Sequence, residues 1–293
     1  MIKNNISYQE GFVQLVKVIE NLYPENERHV IANWAMDYIL GTESFMWKIQ
    51  KADEKMSSEG YELFLKVKSE LGEGRPIQYI IGKVQFYGSE FVVNEHVLIP
   101  RPETEELIDW VIKDLHNKEK NTRLKIVDLG TGSGIIPITL KRMFPSYEIK
   151  AYDIDEEALK VTQKNAELNN TNIEIKNGDI LNINFWKKEL GEIDILISNP
   201  PYALDVEKKE MEQHVLKYEP LHAIFVQTED PLQFYKCIEE IAQDCLKANG
   251  VGYLELSSLF AEDTRDYYLD KEWQVELKKD LLGKNRMLKY WKN

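Results

Sequence analysis

Two short segments of this 293-residue chain hold residue types that can do chemistry on a planar nitrogen. The first is Ser198-Asn199-Pro200-Pro201-Tyr202, directly after the apolar run Ile193-Asp194-Ile195-Leu196-Ile197. Consecutive prolines fix two φ angles and remove two N–H donors. The neighbouring carbonyls therefore lack an immediate ladder partner and can face a ligand. Asn199 adds a carboxamide, acceptor and donor at once, and Tyr202 an aromatic face. An amide or amine entering this corner can give one N–H to the Asn199 side-chain oxygen and the other to the Pro200 carbonyl. Both acceptors would aim its lone pair at an electrophile opposite. The plainer reading is a proline-stiffened turn that closes a strand.

The second segment, Asp128-Leu129-Gly130-Thr131-Gly132-Ser133-Gly134, follows the run Leu124–Leu129 and opens a helix. Glycines there let the backbone approach a ligand where a Cβ would clash. In open α/β sheets, ligands bind at the carboxyl ends of strands, near the reversal of strand order. Asp153 ends the next strand, 21 residues after Gly132, where an acidic side chain accepts hydrogen bonds from ribose hydroxyls. The Gly-x-Gly-x-Gly spacing lacks the last small residue of the dinucleotide fingerprint. S-adenosylmethionine, with a ribose and an adenine but no pyrophosphate, is the cofactor this pattern fits best. Asp179, in Asn177-Gly178-Asp179-Ile180, is placed to accept from the adenine amino group, or is simply a turn residue. Methyl transfer is an in-line displacement from an activated sulfonium, so positioning supplies most of the catalysis and no Cys, Ser or His nucleophile is needed.

The elements around these segments follow from apolar periodicity. From residue 124 onward strand signals alternate with helix signals: Leu124–Leu129, Glu148–Asp153, Ile173–Lys176, Ile193–Ile197 and Val251–Leu256 are strands. That order predicts an α/β fold with a mostly parallel sheet and helices on both faces. Gln274–Leu277 and Met287–Tyr290 are two further strands that close the sheet edge. Residues 6–73 read as a small helical bundle, with rows such as Val30, Ile31, Trp34, Ala35, Tyr38 and Ile39. His29, beside that stripe, reads as a surface histidine. Phe86-Tyr87-Gly88-Ser89-Glu90-Phe91-Val92-Val93 reads as a β-hairpin. The expected division is 1–84 as a helical domain, 85–102 as a hairpin linker and 103–293 as the catalytic domain.

Composition narrows the function classes. Hydrophobic residues make up 43% and charged residues 30%, an ordinary globular balance. No apolar stretch approaches a membrane span, and Met1–Asn5 shows no leader, so a cytoplasmic protein with no membrane partner is expected. Cys237 and Cys245 cannot make a disulfide framework or a four-thiolate metal site, and no metal is expected. The net charge is −13, with −2 on residues 1–84 and −11 on residues 85–293. A protein bound through phosphate neutralisation leans basic, so stable nucleic-acid binding is not expected.

Together, Asn199-Pro200-Pro201-Tyr202, Gly130–Gly134 and Ile99-Pro100-Arg101-Pro102-Glu103-Thr104-Glu105 resemble the peptide chain release factor glutamine methyltransferases, the PrmC/HemK family. Arg75-Pro76-Ile77-Gln78-Tyr79-Ile80-Ile81-Gly82, Phe86-Tyr87-Gly88 and Tyr218-Glu219-Pro220 extend the resemblance over most of the chain. It implies a class I S-adenosylmethionine-dependent methyltransferase fold, Rossmann-like with an antiparallel edge, behind a helical domain that helps recognise the release factor. The implied reaction methylates N5 of the glutamine in the Gly-Gly-Gln motif of class 1 release factors. It modulates translation termination, leaves S-adenosylhomocysteine and is run by a monomer. By resemblance, Gly130, Thr131, Gly132, Ser133 and Gly134 line the methionine and ribose, and Asp153 holds the ribose. Asp179 and Ile180 meet the adenine. Asn199, Pro200, Pro201 and Tyr202 grip the substrate amide. Arg101, Pro102, Glu103 and Thr104 form a segment beside the cofactor, although Arg101 and Glu103 read equally well as an ion-paired linker. Two departures stand out: Glu255 is followed by Leu256-Ser257 where the family has Ile-Gly, and Ile180 stands where it often has an aromatic, with Phe185-Trp186 further on.

Two other readings stay open at this level. Asn-Pro-Pro-Tyr also serves adenine-N6 methyltransferases acting on DNA or RNA, since an exocyclic amine presents similar donors. A non-catalytic protein that binds the cofactor and docks partners through its helices would carry the same glycine loop.

Overall fold

The computed structural model of the chain describes residues 6–116, 123–209 and 211–292. Met1–Asn5, read above for a leader, lie outside the described residues. Contacts gather the chain into two units, Met1–Lys83 with Glu212–Tyr218, and Val84–Met211 with Glu219–Asn293. No described helix is long and apolar enough to cross a membrane.

The first unit is built from α1 (Tyr8–Val18), α2 (Glu25–Leu40), α3 (Trp47–Gln50), α4 (Ser58–Gly72) and α5 (Ile77–Ile81). Ser7 and Glu10 form a capping box at α1, and the Ser57 hydroxyl accepts from the Gly60 N–H at 3.0 Å to start α4. Gly41, left-handed at φ 63°, ends α2. Of the two apolar rows expected on α2 only one is covered. Ile31, Ala35 and Ile39 are buried, whereas Val30, Trp34 and Tyr38 are 40%, 40% and 36% exposed. Adjacent residues sit about 100° apart around a helix, so the second row turns out of the packed side.

The second unit opens with β1 (Lys83–Phe86) and β2 (Ser89–Val92), then α6 (Pro102–His116). The β1–β2 hairpin turns through Tyr87 and Gly88, both at positive φ. Phe86 and Phe91 enter the core under α6, and the Asn165 carboxamide accepts from the Val92 N–H (2.6 Å) and donates to the Val92 carbonyl (3.0 Å).

Then follow β3 (Lys125–Leu129), α7 (Ile135–Met143), β4 (Glu148–Asp153), α8 (Glu156–Leu168), β5 (Glu174–Asn177), α9 (Ile183–Glu189) and β6 (Ile193–Ser198). Next comes α10 (Gln213–Tyr218), which belongs to the first unit: the Lys217 ammonium and the Tyr218 hydroxyl both donate to the Glu73 carbonyl. The chain ends through α11 (Gln233–Cys245), β7 (Leu246–Glu255), α12 (Ala261–Asp270), β8 (Gln274–Lys279) and β9 (Asn285–Trp291). Seven strands form one sheet in the order β5-β4-β3-β6-β7-β9-β8. β5, β4, β3, β6 and β7 are parallel; β9 runs antiparallel to β7 and β8. Residues of α6 and α7 fill the core on one face of this sheet, and residues of α9, α11 and α12 fill the other. This is the mostly parallel sheet that the alternation of strands and helices predicts, with the antiparallel edge that the resemblance implies. Strand order reverses between β3 and β6, and both nominated segments leave the sheet there.

Candidate active site

β3 and β6 lie side by side with Leu129 opposite Ser198, and the buried Ser198 hydroxyl donates to the Leu129 carbonyl at 2.7 Å. The glycine loop and the diproline corner, remote in sequence, therefore emerge together. In the loop, the N–H groups of Gly130 and Thr131 both donate to the Tyr152 carbonyl at 2.9 Å. Gly130, Gly132 and Gly134 have φ of 74°, 55° and 79°, the left-handed region that glycine takes without strain. A Cβ on Gly132 would meet no protein atom within 4 Å, whereas one on Gly134 would lie 2.8 Å from Thr162 Cγ2 and 2.9 Å from Ile138 Cδ1. Gly132 thus serves an open wall, and Gly134 the packing of α7 on α8. Asn165 braces the loop as well, donating to the Ser133 carbonyl at 2.8 Å.

The loop borders a cleft of about 350 Å³, wholly within the second unit. Gly130, Thr131, Gly132, Ser133, Asp153, Asp179, Ile180, Asn199 and Pro201 all line it; Gly134, Pro200 and Tyr202 do not. The last two are turned away for a backbone reason. The N–H groups of Tyr202 and Ala203 donate to the Ile224 carbonyl, and Ala203 bridges to Phe225 as a short parallel pair. The chain is extended there, so alternate side chains face opposite sides. Asn199 and Pro201 face the cleft; Tyr202 packs against the core, and its phenol is pushed up by burial and then by the charge of Glu255.

Asp153 is fixed by the Gly132 N–H on Oδ2 (2.8 Å) and the Asp155 N–H on Oδ1 (3.0 Å). Burial raises its pKa, and those two bonds pull the other way. Deeper lies Asp128, fully buried, its carboxyl pushed up to about 7 mainly by burial. The nearby Thr131 hydroxyl favours the ionised form, yet its geometry falls short of a hydrogen bond. Among the described residues, neither Asp128 oxygen nor the Thr131 hydroxyl has a partner.

At the other end, Asp179 Oδ1 accepts from the Leu181 N–H at 2.8 Å, and its carbonyl accepts from the Trp186 indole N–H. Trp186 is buried edge-on to Tyr152 beneath Gly178, where a Cβ would sit 2.6 Å from the indole. Neither Phe185 nor Trp186 lines the cleft. Its aromatic walls are Phe225 and Phe234, which the sequence reading did not nominate; no spacing rule links α11 to a loop a hundred residues earlier.

The Asn199 carboxamide is held on one side by Thr104, which also borders the cleft. Its Nδ2 donates to the Thr104 hydroxyl (3.3 Å), which donates in turn to Glu255 Oε2 (2.7 Å). Thr104 opens α6 and Glu255 ends β7, so three elements meet at one amide. Burial pushes the Glu255 carboxyl up to about 7, against the pull of the Thr104 bond. Nearby, Arg101 pairs with the buried carboxylate of Glu219 at 2.6 Å, and Glu219 also accepts from the Ile99 N–H at 3.2 Å. Both readings of this segment hold for Arg101, which is ion-paired with Glu219 and also lines the cleft, as Thr104 does; Pro102 and Glu103 do not line it.

Comparison with known proteins adds four findings. Residues 110–219 match the family model described as the methyltransferase small domain. The chain is 43% identical over 221 residues to the release factor glutamine methyltransferase of Flavobacterium psychrophilum, covering 75% of this chain and 76% of that one. It is 39% identical over 219 residues to the protein of the same name from Bacteroides thetaiotaomicron, covering 74% and 76%. Among solved structures, the human methyltransferase 10 domain containing protein shares the fold with a TM-score of 0.51 at 18% identity, covering 70% of this chain and 89% of that one.

Proposed function

The chain belongs to the release factor glutamine methyltransferase family, and on that premise we propose that it transfers the methyl group of S-adenosylmethionine to N5 of the glutamine in the Gly-Gly-Gln motif of a class 1 peptide chain release factor, in the cytoplasm. One observation carries the reading: the glycine loop, Asp153 and the Asn199 amide all border one cleft. The residues there suit a nucleoside with an amino-acid tail. Each Asp153 oxygen accepts a single N–H bond and keeps capacity for a ribose hydroxyl. When bound, S-adenosylmethionine supplies a methyl carbon on a positively charged sulfur that departs readily as S-adenosylhomocysteine.

The chain's own work is positioning. Gly130 to Ser133 flank the methionine and ribose, Asp153 accepts from the ribose, Asp179 accepts from the adenine amino group, and Ile180 and Phe234 flank the ring. Asn199 Oδ1 and the Pro200 carbonyl each accept one N–H of the substrate carboxamide, which fixes the amide plane and so aims the lone pair, perpendicular to that plane, at the methyl carbon. Pro201 and Tyr202 stiffen the corner from either side. A carboxamide nitrogen is a weak nucleophile, so this alignment is where the protein contributes most. The helical unit serves recognition of the release factor. The names of the relatives favour this amide over an adenine amine as the acceptor. The test is transfer of labelled methyl to a purified release factor. Label should appear on the wild-type factor and vanish when the Gly-Gly-Gln glutamine is changed to Ala; label that persists assigns the methyl to another residue.

A further inference from the structure

A carboxamide looks nearly the same to its surroundings after half a turn, but the turn exchanges an acceptor for a donor. If Asn199 presented its NH2 to the substrate, two donors would face each other and the acceptor nitrogen would be repelled. Something must choose the orientation. We propose that Thr104 and Glu255 make that choice: they act as positioning residues that engage the Asn199 NH2 at the cleft wall and leave its oxygen for the substrate amide. The inference rests on the reading that Asn199 grips the substrate amide.

The argument is a count of protons. The Thr104 hydroxyl has one hydrogen, and it is committed to Glu255 Oε2 at 2.7 Å. What Thr104 turns towards Asn199 is therefore a lone pair, and only the NH2 group can answer it, at 3.3 Å. Water does not compete, because Thr104 is 2% and Glu255 1% exposed. The direction of the chain depends on Glu255 being ionised, since a protonated carboxyl donates to Thr104 and frees the hydroxyl hydrogen to point at Asn199. Several groups face Glu255. Arg286 on β9 and Arg101 before α6 favour the carboxylate, Glu103 on α6 disfavours it, and the phenols of Tyr202 and Tyr235 lie alongside. Burial outweighs them and lifts the carboxyl to about 7. The oxygen-out orientation is thus held above that pH and released below it.

The experiment compares Thr104→Val, Thr104→Ser, Glu255→Gln and Asn199→Ala in the full chain. Thr104→Val keeps the shape and removes the hydroxyl; it should lower kcat by about tenfold or more while KM for the release factor and the affinity for S-adenosylhomocysteine stay within about twofold. Thr104→Ser should restore kcat to within about threefold of wild type. In the 1H–15N spectrum of the ligand-free protein, the side-chain amide pair that disappears in Asn199→Ala should titrate with a midpoint near 7, and should not titrate in Glu255→Gln. Wild-type kcat in Thr104→Val, a serine variant no better than valine, or an Asn199 signal indifferent to pH in the wild type would each overturn the proposal. Asn199→Ala separates the two levels. If it turns over normally, the assignment of Asn199 to the substrate fails. If it is inactive while Thr104→Val is normal, the positioning inference alone fails.

Discussion

On the proposed roles, single side chains divide into those that would hold the cofactor and those that would hold the acceptor, and the two groups should fail differently when removed. Asn199 borders the cleft with its NH2 already engaged by Thr104, so in the proposed reaction its oxygen is the atom that meets the substrate amide. Asn199→Ala should cut kcat by about 100-fold, comparable with loss of one preorganised hydrogen-bonding group at a reacting centre, and leave S-adenosylhomocysteine binding within about threefold. Asp153 is pinned between two backbone N–H groups at the end of β4. Asp153→Ala should weaken S-adenosylhomocysteine binding by about 10- to 100-fold, the usual cost of a hydrogen bond to a charged group, and affect turnover at saturation less. Steady-state kinetics and calorimetry on both variants check the division; the same pattern in both would contradict it.

At the scale of elements, the site depends on how closely neighbouring pieces approach. A Cβ on Gly134 would press on Thr162 and Ile138 while φ is held at 79°, so Gly134→Ala should destabilise the second unit by about 1–3 kcal/mol through strain and overpacking. Gly132→Ala bears the strain of φ 55° but has open space, so its main effect should be on cofactor affinity. Equilibrium urea unfolding, with and without S-adenosylhomocysteine, distinguishes the two. On the antiparallel edge, Gly252 pairs with Tyr290, and a Cβ would fall 1.9 Å from the tyrosine ring. Gly252→Ala should therefore loosen β9 and, through β7, the support of Glu255. The diproline corner shows the same dependence: because the chain after β6 runs extended against Ile224, Tyr202 faces the core although its residue type suggested a ligand-facing ring.

For the whole molecule, charge and pH give the measurable consequences. Asp128 and Glu255 are both held protonated up to about 7 by burial, against ordinary values of 3.8 and 4.5. Between about 4.5 and 7 the folded chain therefore binds protons that the unfolded chain has released. Stability falls as pH rises through that window and these buried carboxyls ionise. Asp128→Asn cannot ionise, so the drop in Tm of the ligand-free protein between pH 5 and pH 8 should be smaller in that variant than in the wild type. An equal drop would mean that Asp128 ionises freely in the fold. The net charge of −13 argues against a substrate held by its phosphates. Methyl transfer to a release factor should accordingly lack the steep salt dependence that a nucleic-acid substrate would impose.

The sequence by itself determined the local steps: strands by apolar runs, helices by apolar rows, and the placing of a glycine loop and a diproline corner after two of the strands. These depend on backbone sterics and short-range hydrogen bonds, which act within a few residues. It also singled out the part of the cleft wall that the two loops supply, because a ligand at a strand reversal must meet the loops that follow the reversing strands; the wall around Leu98 and around His222 to Phe234 was not legible. Only the tertiary structure decided that the hairpin packs into the second unit, that one row of α2 stays exposed, that Trp186 is buried while Phe234 reaches the cleft, and that Thr104 and Glu255 stand beside Asn199. Those outcomes depend on which faces meet once seven strands are ordered and twisted together. Thr104 and Glu255 lie 151 residues apart, and no local spacing rule reaches that far.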